Sequence, residues 1–386
     1  MMKSRSPKFK TWVEISRKAI AGNIKIMRSF LKPKTKLWAV VKSNAYGHGL
    51  VAFSLVANKF GVDGFCVDSV LEGLKLRENG IKKPVLVLGP TLPHLFEVAE
   101  SKLITVTISN FEALNNFIKS KKKPKFHLKI DSGMHRQGFY LKDIPQVIKL
   151  FKVNKIGEFM TGMYTHFASA KDINYPTYTD MQFEIFQKAA DKIKRADFSS
   201  KGGSASGGKN VIFHAAATGA IFINQKYHLG AVRSGIGLYG LWPSRELMIQ
   251  NKDIKLNPVL SWHVLISEIK NLKKGDFVGY DLVERVMKST KMAILPIGYW
   301  HGFPRSLSGI GEVLIKGRLA RVLGRVSMDL VVVDVSGIDC KVGDQAVIVG
   351  GQNRNEISAS DIAQKFGTTH YEFVTRINPL IERIIV

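Results

Sequence analysis

Lys42 is the residue whose setting points most directly to chemistry. It ends an apolar, strand-like run, Leu37-Trp38-Ala39-Val40-Val41, and opens the polar turn Ser43-Asn44-Ala45-Tyr46-Gly47-His48-Gly49. Burial beside apolar strand residues disfavours the ammonium form, and the freed amine is a nucleophile that forms Schiff bases with carbonyl compounds. The plainer alternative is a strand-end lysine that keeps its charged head in water. Two further basic residues raise similar questions. Arg233 sits in Ala231-Val232-Arg233-Ser234-Gly235-Ile236-Gly237, near the end of an apolar run, and an inward arginine there is costly unless paired. His166, in Tyr164-Thr165-His166-Phe167-Ala168, ends another such run, where a satisfied structural histidine is the ordinary outcome.

The elements that must position these residues show in the periodicity. Eight short apolar runs read as buried parallel strands: Lys36 to Lys42, Gly64 to Asp68, Pro84 to Gly89, Leu103 to Ser109, Lys125 to Asp131, Glu158 to His166, Val211 to Ala216 and Ala231 to Gly235. Amphipathic segments such as Val70 to Asn79 and Pro176 to Ala196 lie between them, the latter followed by a Gly/Ser-rich stretch, Ser199 to Gly208, that reads as flexible. Eight βα units predict a (β/α)₈ barrel, in which chemistry gathers at the C-terminal ends of the strands. A helical stripe, Ile20, Ile24, Met27 and Leu31, precedes the first barrel strand, and Thr11 to Ile15 reads as a lone strand ahead of it. From about residue 246 the pattern changes to alternating runs separated by turns such as Lys274-Gly275-Asp276 and Val342-Gly343-Asp344, which predict a mostly β domain with a short helix capped by Ser358 and Asp361. The expected division is 1–15 as a strand joining the β domain, 16–245 as the barrel and 246–386 as the β domain.

Composition narrows the function. With 386 residues and 45% hydrophobic content, the chain can bury two cores. Cys66 and Cys340 are the only cysteines and form no metal-binding spacing, so neither a disulfide framework nor a metal site is expected, and a cytoplasmic location fits. The basic start, Met1 to Lys8, is not followed by the apolar stretch of a signal peptide, and no run approaches bilayer length, so no membrane partner is expected. A formal charge of +26 raises the question of nucleic acid. The basic residues are spread over nearly all segments, densest at Lys119 to Lys123, without a recognition motif. A solvated basic surface with weak, salt-sensitive polyanion binding follows.

Several strings resemble one family in order along the chain: Lys42-Ser43-Asn44-Ala45-Tyr46-Gly47-His48-Gly49, Gly133-Met134-His135-Arg136-Gln137-Gly138, Thr165-His166-Phe167-Ala168, Arg233-Ser234-Gly235-Ile236-Gly237-Leu238-Tyr239-Gly240 and Gly324-Arg325-Val326-Ser327-Met328-Asp329. Together they resemble the alanine racemases, which depend on pyridoxal 5'-phosphate (PLP), from about Thr11 to the C-terminus. The resemblance implies a homodimeric isomerase that interconverts L-alanine and D-alanine for peptidoglycan.

Inversion at an α-carbon needs a base on each face of a stabilised carbanion. By resemblance Lys42 is the Schiff-base former and one base, and Tyr280, in Val278-Gly279-Tyr280, is the other, donated by the partner subunit. Tyr46, Thr218, Gly235 and Ile236 match the phosphate ligands. Arg233 matches the partner of the pyridine nitrogen, and His166 the residue stacked on the ring. Arg136 matches the contact to the cofactor's phenolic oxygen and the substrate carboxylate. Lys129 matches a lysine that carries a carbamate; turning one of two neighbouring cations into an anion makes physical sense, while an unmodified, solvent-directed Lys129 is the alternative. Met328 and Asp329 match the substrate-carboxylate site, with Tyr299 and Arg305 in the entry corridor and Arg325 nearby, and in the family these residues reach the barrel of the partner subunit.

The chain departs from the family pattern at four places. Ala217 precedes Thr218 where an asparagine is usual before a serine, Pro379 falls at the position of a phosphate-contacting tyrosine, His301 replaces an aspartate, and Lys171 replaces an acid. Loss of a phosphate donor and a bulky ring would weaken PLP binding by about 1 kcal/mol or more and admit amino acids larger than alanine. The competing functions are a broader-specificity racemase, a PLP-binding homologue with weak or no activity, a basic-amino-acid decarboxylase of similar architecture and a nucleic-acid binder. The decarboxylases' triple-glycine loop and catalytic cysteine are missing, and a non-catalytic homologue has no need of Tyr280.

Overall fold

The computed structural model describes residues 9–172, 175–196, 198 and 211–386. The Ser199 to Gly208 stretch therefore lies outside the described residues. The chain divides into two compact units, one formed by Ala19–Ala45 and Phe53–Asn257 and the other by residues up to Lys18, Tyr46–Ala52 and Pro258–Val386.

Strand β1 (Thr11–Ile15) belongs to the second unit; the next eight strands form the first. These are β2 (Lys36–Val40), β3 (Gly64–Val67), β4 (Val85–Val87), β5 (Ile104–Ile108), β6 (Phe126–Lys129), β7 (Met160–Tyr164), β8 (Ile212–Ala217) and β9 (Ala231–Ser234), closed in that order into a parallel barrel. Closure comes from β2, which pairs with β3 on one side and β9 on the other. The eight expected runs all appear. The first is shorter than expected: β2 stops at Val40, and Lys42 lies beyond it in a turn. The strands are short apolar runs because both faces are covered, one by the barrel interior and one by helices. The helix Arg17–Ser29 buries Ile20, Ile24 and Met27, as the stripe predicts, although it ends before Leu31.

In the second unit β1 is not alone. It pairs antiparallel with the strand Leu260–Leu265 and parallel with the C-terminal strand Glu382–Ile385, within a ten-stranded sheet. A separate two-stranded hairpin, Phe277–Val278 with Glu284–Arg285, is held by a small apolar cluster of Val278, Val286, Met292 and Leu323. The helix Ala359–Lys365 starts with the expected reciprocal cap: Ser358 Oγ accepts the Asp361 amide at 3.0 Å, and the Asp361 carboxylate accepts the Ser358 amide at 3.2 Å.

Candidate active site

Beyond β2 the backbone turns left-handed for four consecutive non-glycine residues, Ser43, Asn44, Ala45 and Tyr46, all with φ between 51° and 55°. This conformation is unfavourable for L-residues and persists only where partners hold it. Glu72, near the start of the helix Val70–Glu78, is such a partner. One of its carboxylate oxygens accepts the Ser43 amide at 2.7 Å and the Asn44 amide at 3.4 Å, and the other accepts the Asp68 amide at 2.7 Å. Lys42 Nζ stands 3.7 Å from Asp68 Oδ1, at the end of β3. Sequence reasoning missed Glu72. Its signal was Ser69-Val70-Leu71-Glu72, a capping-box spacing in which Ser69 Oγ caps the helix while Glu72 reaches the Lys42 turn instead.

Around the barrel from β2, the ends of β9 and β8 bring together the phosphate-ligand candidates of this unit. Thr218 Oγ1 accepts from the amides of Gly235 at 3.2 Å and Gly237 at 3.4 Å, and lies 3.3 Å from Ser234 Oγ. Ile236 lies between those two amides and is buried. Backbone N–H groups converging with a hydroxyl at strand C-termini suit a phosphate monoester. Ala217 leaves the short helix Thr218–Ile223 without a side-chain cap.

Arg233 is 2% exposed and has no carboxylate partner in its hydrogen bonds. It donates instead to the carbonyls of Thr165 at 2.7 Å, Ala215 at 3.0 Å and His214 at 3.3 Å, and to His214 Nδ1. Since arginine only donates, His214 carries its proton on Nε2 and passes it as a hydrogen bond to His127 Nδ1, 2.9 Å away. Tyr164 stacks on His214 at 4.9 Å, with the Arg233 guanidinium 5.0 Å from the Tyr164 ring centre. Burial, then the Arg233 charge, hold His127 down to about 3 and His214 well below the usual imidazole range.

The loop after β6 is folded by one carboxylate. Asp131 accepts the amides of Gly133 at 3.0 Å, His135 at 3.0 Å and Arg136 at 2.9 Å. Burial would raise the Asp131 carboxyl, but these three donors win and hold it below its ordinary value. Gly138 closes the loop at φ 136°, where an added Cβ would lie 2.3 Å from the Asp131 nitrogen. Lys129 is buried, against the solvent-directed alternative. Its Nζ donates to Gln137 Oε1 at 2.8 Å, and Gln137 Nε2 donates to Ser109 Oγ at 3.1 Å. Burial, then Arg136 and Arg233, bring the Lys129 amine down to about 8. His166 is held neutral, at about 3, by burial and by Arg233, Arg136, Lys129 and Lys42 in that order. Four of the expected basic residues thus act on one imidazole at the C-terminal end of the barrel.

In the other unit, Tyr46 belongs to a turn pinned by Arg383. The guanidinium donates to the Gly47 carbonyl at 3.1 and 3.0 Å and to the Asn378 and Ile377 carbonyls at 2.6 and 3.1 Å. An added Cβ on Gly47 would lie 1.9 Å from the Val374 carbonyl oxygen, so the turn abuts the helix His370–Thr375. The Tyr46 ring lies 6.2 Å from that of Tyr371. Pro379 is in an exposed turn.

Tyr280 is 64% exposed at the tip of the two-stranded hairpin, where Asp281 has φ 63° and pairs with Arg325 Nε at 3.4 Å. Tyr299, Met328 and Asp329 come together on neighbouring loops: the Tyr299 amide donates to the Ser327 carbonyl at 3.1 Å and the Trp300 amide to the Met328 carbonyl at 3.1 Å. His301 Nδ1 accepts the Gly298 amide at 3.2 Å, a turn-capping role that an aspartate could also fill, and lies 3.7 Å from Asp329 Oδ1. Tyr280, Tyr299, Met328 and Asp329 all present exposed side chains. Among the described residues, no group of three His, Cys, Asp or Glu side chains could hold a metal ion, and no helix is long and apolar enough to cross a membrane.

Comparison with known proteins covers both units. Residues 15–243 match the family model "Alanine racemase, N-terminal domain", and residues 259–385 match "Alanine racemase, C-terminal domain". The chain is 36% identical over 383 residues to an alanine racemase of Methanococcus maripaludis, covering 97% of this chain and 98% of that protein. It is 33% identical over 394 residues to one of Leptospira interrogans, covering 98% and 96%. Among solved structures it is similar to the alanine racemase of Bacillus anthracis with bound L-Ala-P, with a TM-score of 0.89, 32% identity and coverage of 98% and 96%. The Clostridium difficile alanine racemase in complex with cycloserine gives a TM-score of 0.86 at 30% identity, with coverage of 98% and 96%.

Proposed function

The chain belongs to the alanine racemase family, and on that premise we propose that it interconverts L-alanine and D-alanine with PLP, using Lys42 and the partner subunit's Tyr280 as the two bases. The observation that carries this reading is the arrangement at the barrel's C-terminal end. An amine on the left-handed turn after β2 and phosphate-suited donors at the ends of β8 and β9 share neighbouring strands.

PLP, when bound, supplies the electron sink that makes an α-proton acidic. Lys42 would hold its aldehyde carbon. Thr218 Oγ1, the Gly235 and Ile236 amides and Tyr46 would hold its phosphate. Arg233, fixed by three carbonyls and His214, would offer a donor that stays a cation beside the ring nitrogen, and neutral His166 a flat imidazole beside the ring. Arg136 and the partner subunit's Met328 and Asp329 would orient the substrate carboxylate, with the partner's Tyr299 at the entry. Lys42 Nζ takes or returns the α-proton on one face, and Tyr280 Oη returns or takes one on the other. Tyr280 stands at an exposed hairpin tip, as expected of a group that reaches a second copy of the chain in a homodimer with two shared sites. Burial and the neighbouring Arg136 and Arg233 lower the Lys129 amine to about 8, which raises its neutral fraction far above that of an ordinary lysine and opens it to CO₂ as a carbamate beside Arg136. Two buried free thiols, Cys66 and Cys340, accord with a reducing, cytoplasmic setting and a role in supplying D-alanine for peptidoglycan.

A racemisation assay on a panel of amino acids with wild type, Lys42→Ala and Tyr280→Phe tests the proposal. Wild type converts either enantiomer of alanine, and each variant loses at least about a hundredfold. A broader-specificity racemase is the second reading, favoured by the side-chain-free cap at Ala217 and the exposed turn at Pro379. Comparable rates on serine or lysine support it; strict alanine preference with tight PLP contradicts it.

A further inference from the structure

The basic residues that look evenly dispersed along the sequence are collected by the barrel at the pole opposite its C-terminal strand ends. In a parallel barrel every segment leading into a strand lies at the same, N-terminal end. The segments 30–36, 60–63, 79–84, 102–103, 120–125 and 154–159, which feed β2 to β7, contain eleven lysines, no arginine and only two acids, Asp63 and Glu158. Asp63 is already neutralised by Arg28 at 2.6 Å. Helix-end lysines such as Lys59, Lys119 and Lys152 add to the same pole, against the helix-end acids Glu78 and Glu100, the latter 3.5 Å from Lys122; the helix-end lysines are explained by the helix dipole, but Lys34, Lys82, Lys121 and Lys155, set in the connecting segments, are not.

Three apolar side chains stand among these lysines in water: Leu103 at 81% exposure, Val153 at 70% and Phe60 at 41%. Leu103 is held out by a rigid device. Its backbone is left-handed at φ 53°, and Arg77 clamps the surrounding loops by donating to the carbonyls of Lys102 at 2.8 Å, Leu103 at 2.8 Å, Ile81 at 2.7 Å and Lys83 at 2.8 Å. Lys83 in turn fastens the segment on either side of Phe60 by donating to the carbonyls of Asn58 at 2.9 Å and Val62 at 2.6 Å. Two apolar tips on clamped loops and a third, Val153, at a helix end, all on the lysine-rich pole, match a surface that seats in the headgroup region of a bilayer: the lysines meet its negative potential and the tips enter its apolar margin.

We propose that this pole docks the protein reversibly on an anionic lipid surface, with Leu103, Val153 and Phe60 as shallow anchors. Nucleic acid is the less favoured ligand. The segments offer no arginine for bidentate phosphate contacts, Arg28 and Arg77 nearby are committed to carbonyls and Asp63, leaving Arg195 at the end of the helix Pro176–Arg195, and Phe60 is the one exposed aromatic ring of these segments.

The test is co-sedimentation of the full-length wild-type protein with vesicles of phosphatidylcholine alone or mixed with phosphatidylglycerol, across a salt series, and in parallel with duplex RNA. Binding should be at least about tenfold stronger to the anionic vesicles and should fall with salt. Leu103→Asn with Val153→Asn removes the tips without changing charge and suits the left-handed backbone at 103; it should weaken vesicle binding about tenfold with thermal unfolding unchanged. Lys102→Glu with Lys121→Glu, which leaves the tips in place, should weaken it at low salt. Absence of sedimentation, equal binding to neutral vesicles, or wild-type binding by folded variants of either kind would overturn the proposal. So would RNA binding that is tighter than vesicle binding and indifferent to the Asn substitutions.

Discussion

Glu72 and Ser43 are joined by a 2.7 Å hydrogen bond from the Ser43 amide to the Glu72 carboxylate, across 29 residues of sequence. That bond ties the left-handed turn after Lys42 to the helix following β3, and the same carboxylate holds the Asp68 amide. The lysine is placed less by its own strand than by a neighbouring helix.

Glu72→Ala should therefore loosen the Lys42 turn. Hydrogen bonds to a charged acceptor contribute about 1.5–3 kcal/mol each, so PLP attachment at Lys42 should fall by about tenfold or more. Glu72→Gln, which keeps an acceptor oxygen, should retain part of it. Borohydride trapping followed by mass spectrometry at Lys42 reads this directly; wild-type attachment in Glu72→Ala would show that the clamp is dispensable.

Two glycines with the same backbone angle should respond differently to alanine. Gly47 and Gly80 both have φ of 82°, but a Cβ on Gly47 meets the Val374 carbonyl at 1.9 Å whereas one on Gly80 meets nothing within 4 Å. Gly80→Ala should cost only the left-handed strain of about 1–2 kcal/mol. Gly47→Ala should cost more than about 4 kcal/mol or prevent soluble expression. Urea unfolding of both variants makes the comparison.

Stability should fall as pH drops from the ordinary imidazole value toward 3. His127, held at about 3, and His214, held well below 6.5, stay unprotonated in the folded barrel while the unfolded chain takes up protons from about pH 6.5 downward. The unfolded state then binds more protons, so each histidine lowers unfolding free energy by up to about 1.4 kcal/mol per pH unit in that window. His127→Gln should remove one proton from the slope measured between pH 6.5 and 5. An unchanged slope would mean that His127 is protonated in the folded barrel.

Asp131→Ala should unfold the Ser132 to Gln137 loop locally, because three amides lose one shared acceptor. Since that loop carries Arg136, KM for alanine should rise by about tenfold or more while the barrel's thermal unfolding changes little. An unchanged KM would separate Arg136 from the substrate carboxylate.

Much of this was legible in the residues and some was not. The eight buried strand runs declared themselves because parallel strands covered on both faces are continuous apolar stretches. Lys42 stood out from its strand-end position, yet its turn was invisible, since four left-handed non-glycine residues have no composition signature. Glu72 was hidden behind an ordinary helix-start pattern. The His214–His127 pair was hidden because alternate positions on separate strands meet only when the barrel closes. The lysines at the N-terminal pole looked dispersed for the same reason: a feature that recurs once per βα unit is spread along the chain and gathered in the fold.

A site that draws Lys42 from one subunit and Tyr280 from the other can be rebuilt from two dead variants by subunit complementation. Purified Lys42→Ala and Tyr280→Phe proteins, each nearly inactive, are mixed under conditions that exchange subunits and assayed for alanine racemisation. Shared sites predict recovery toward roughly a quarter of wild-type activity, since about half the dimers are mixed and each mixed dimer has one of two sites intact. A mixture that exchanges subunits yet stays as inactive as its components would rule out shared sites.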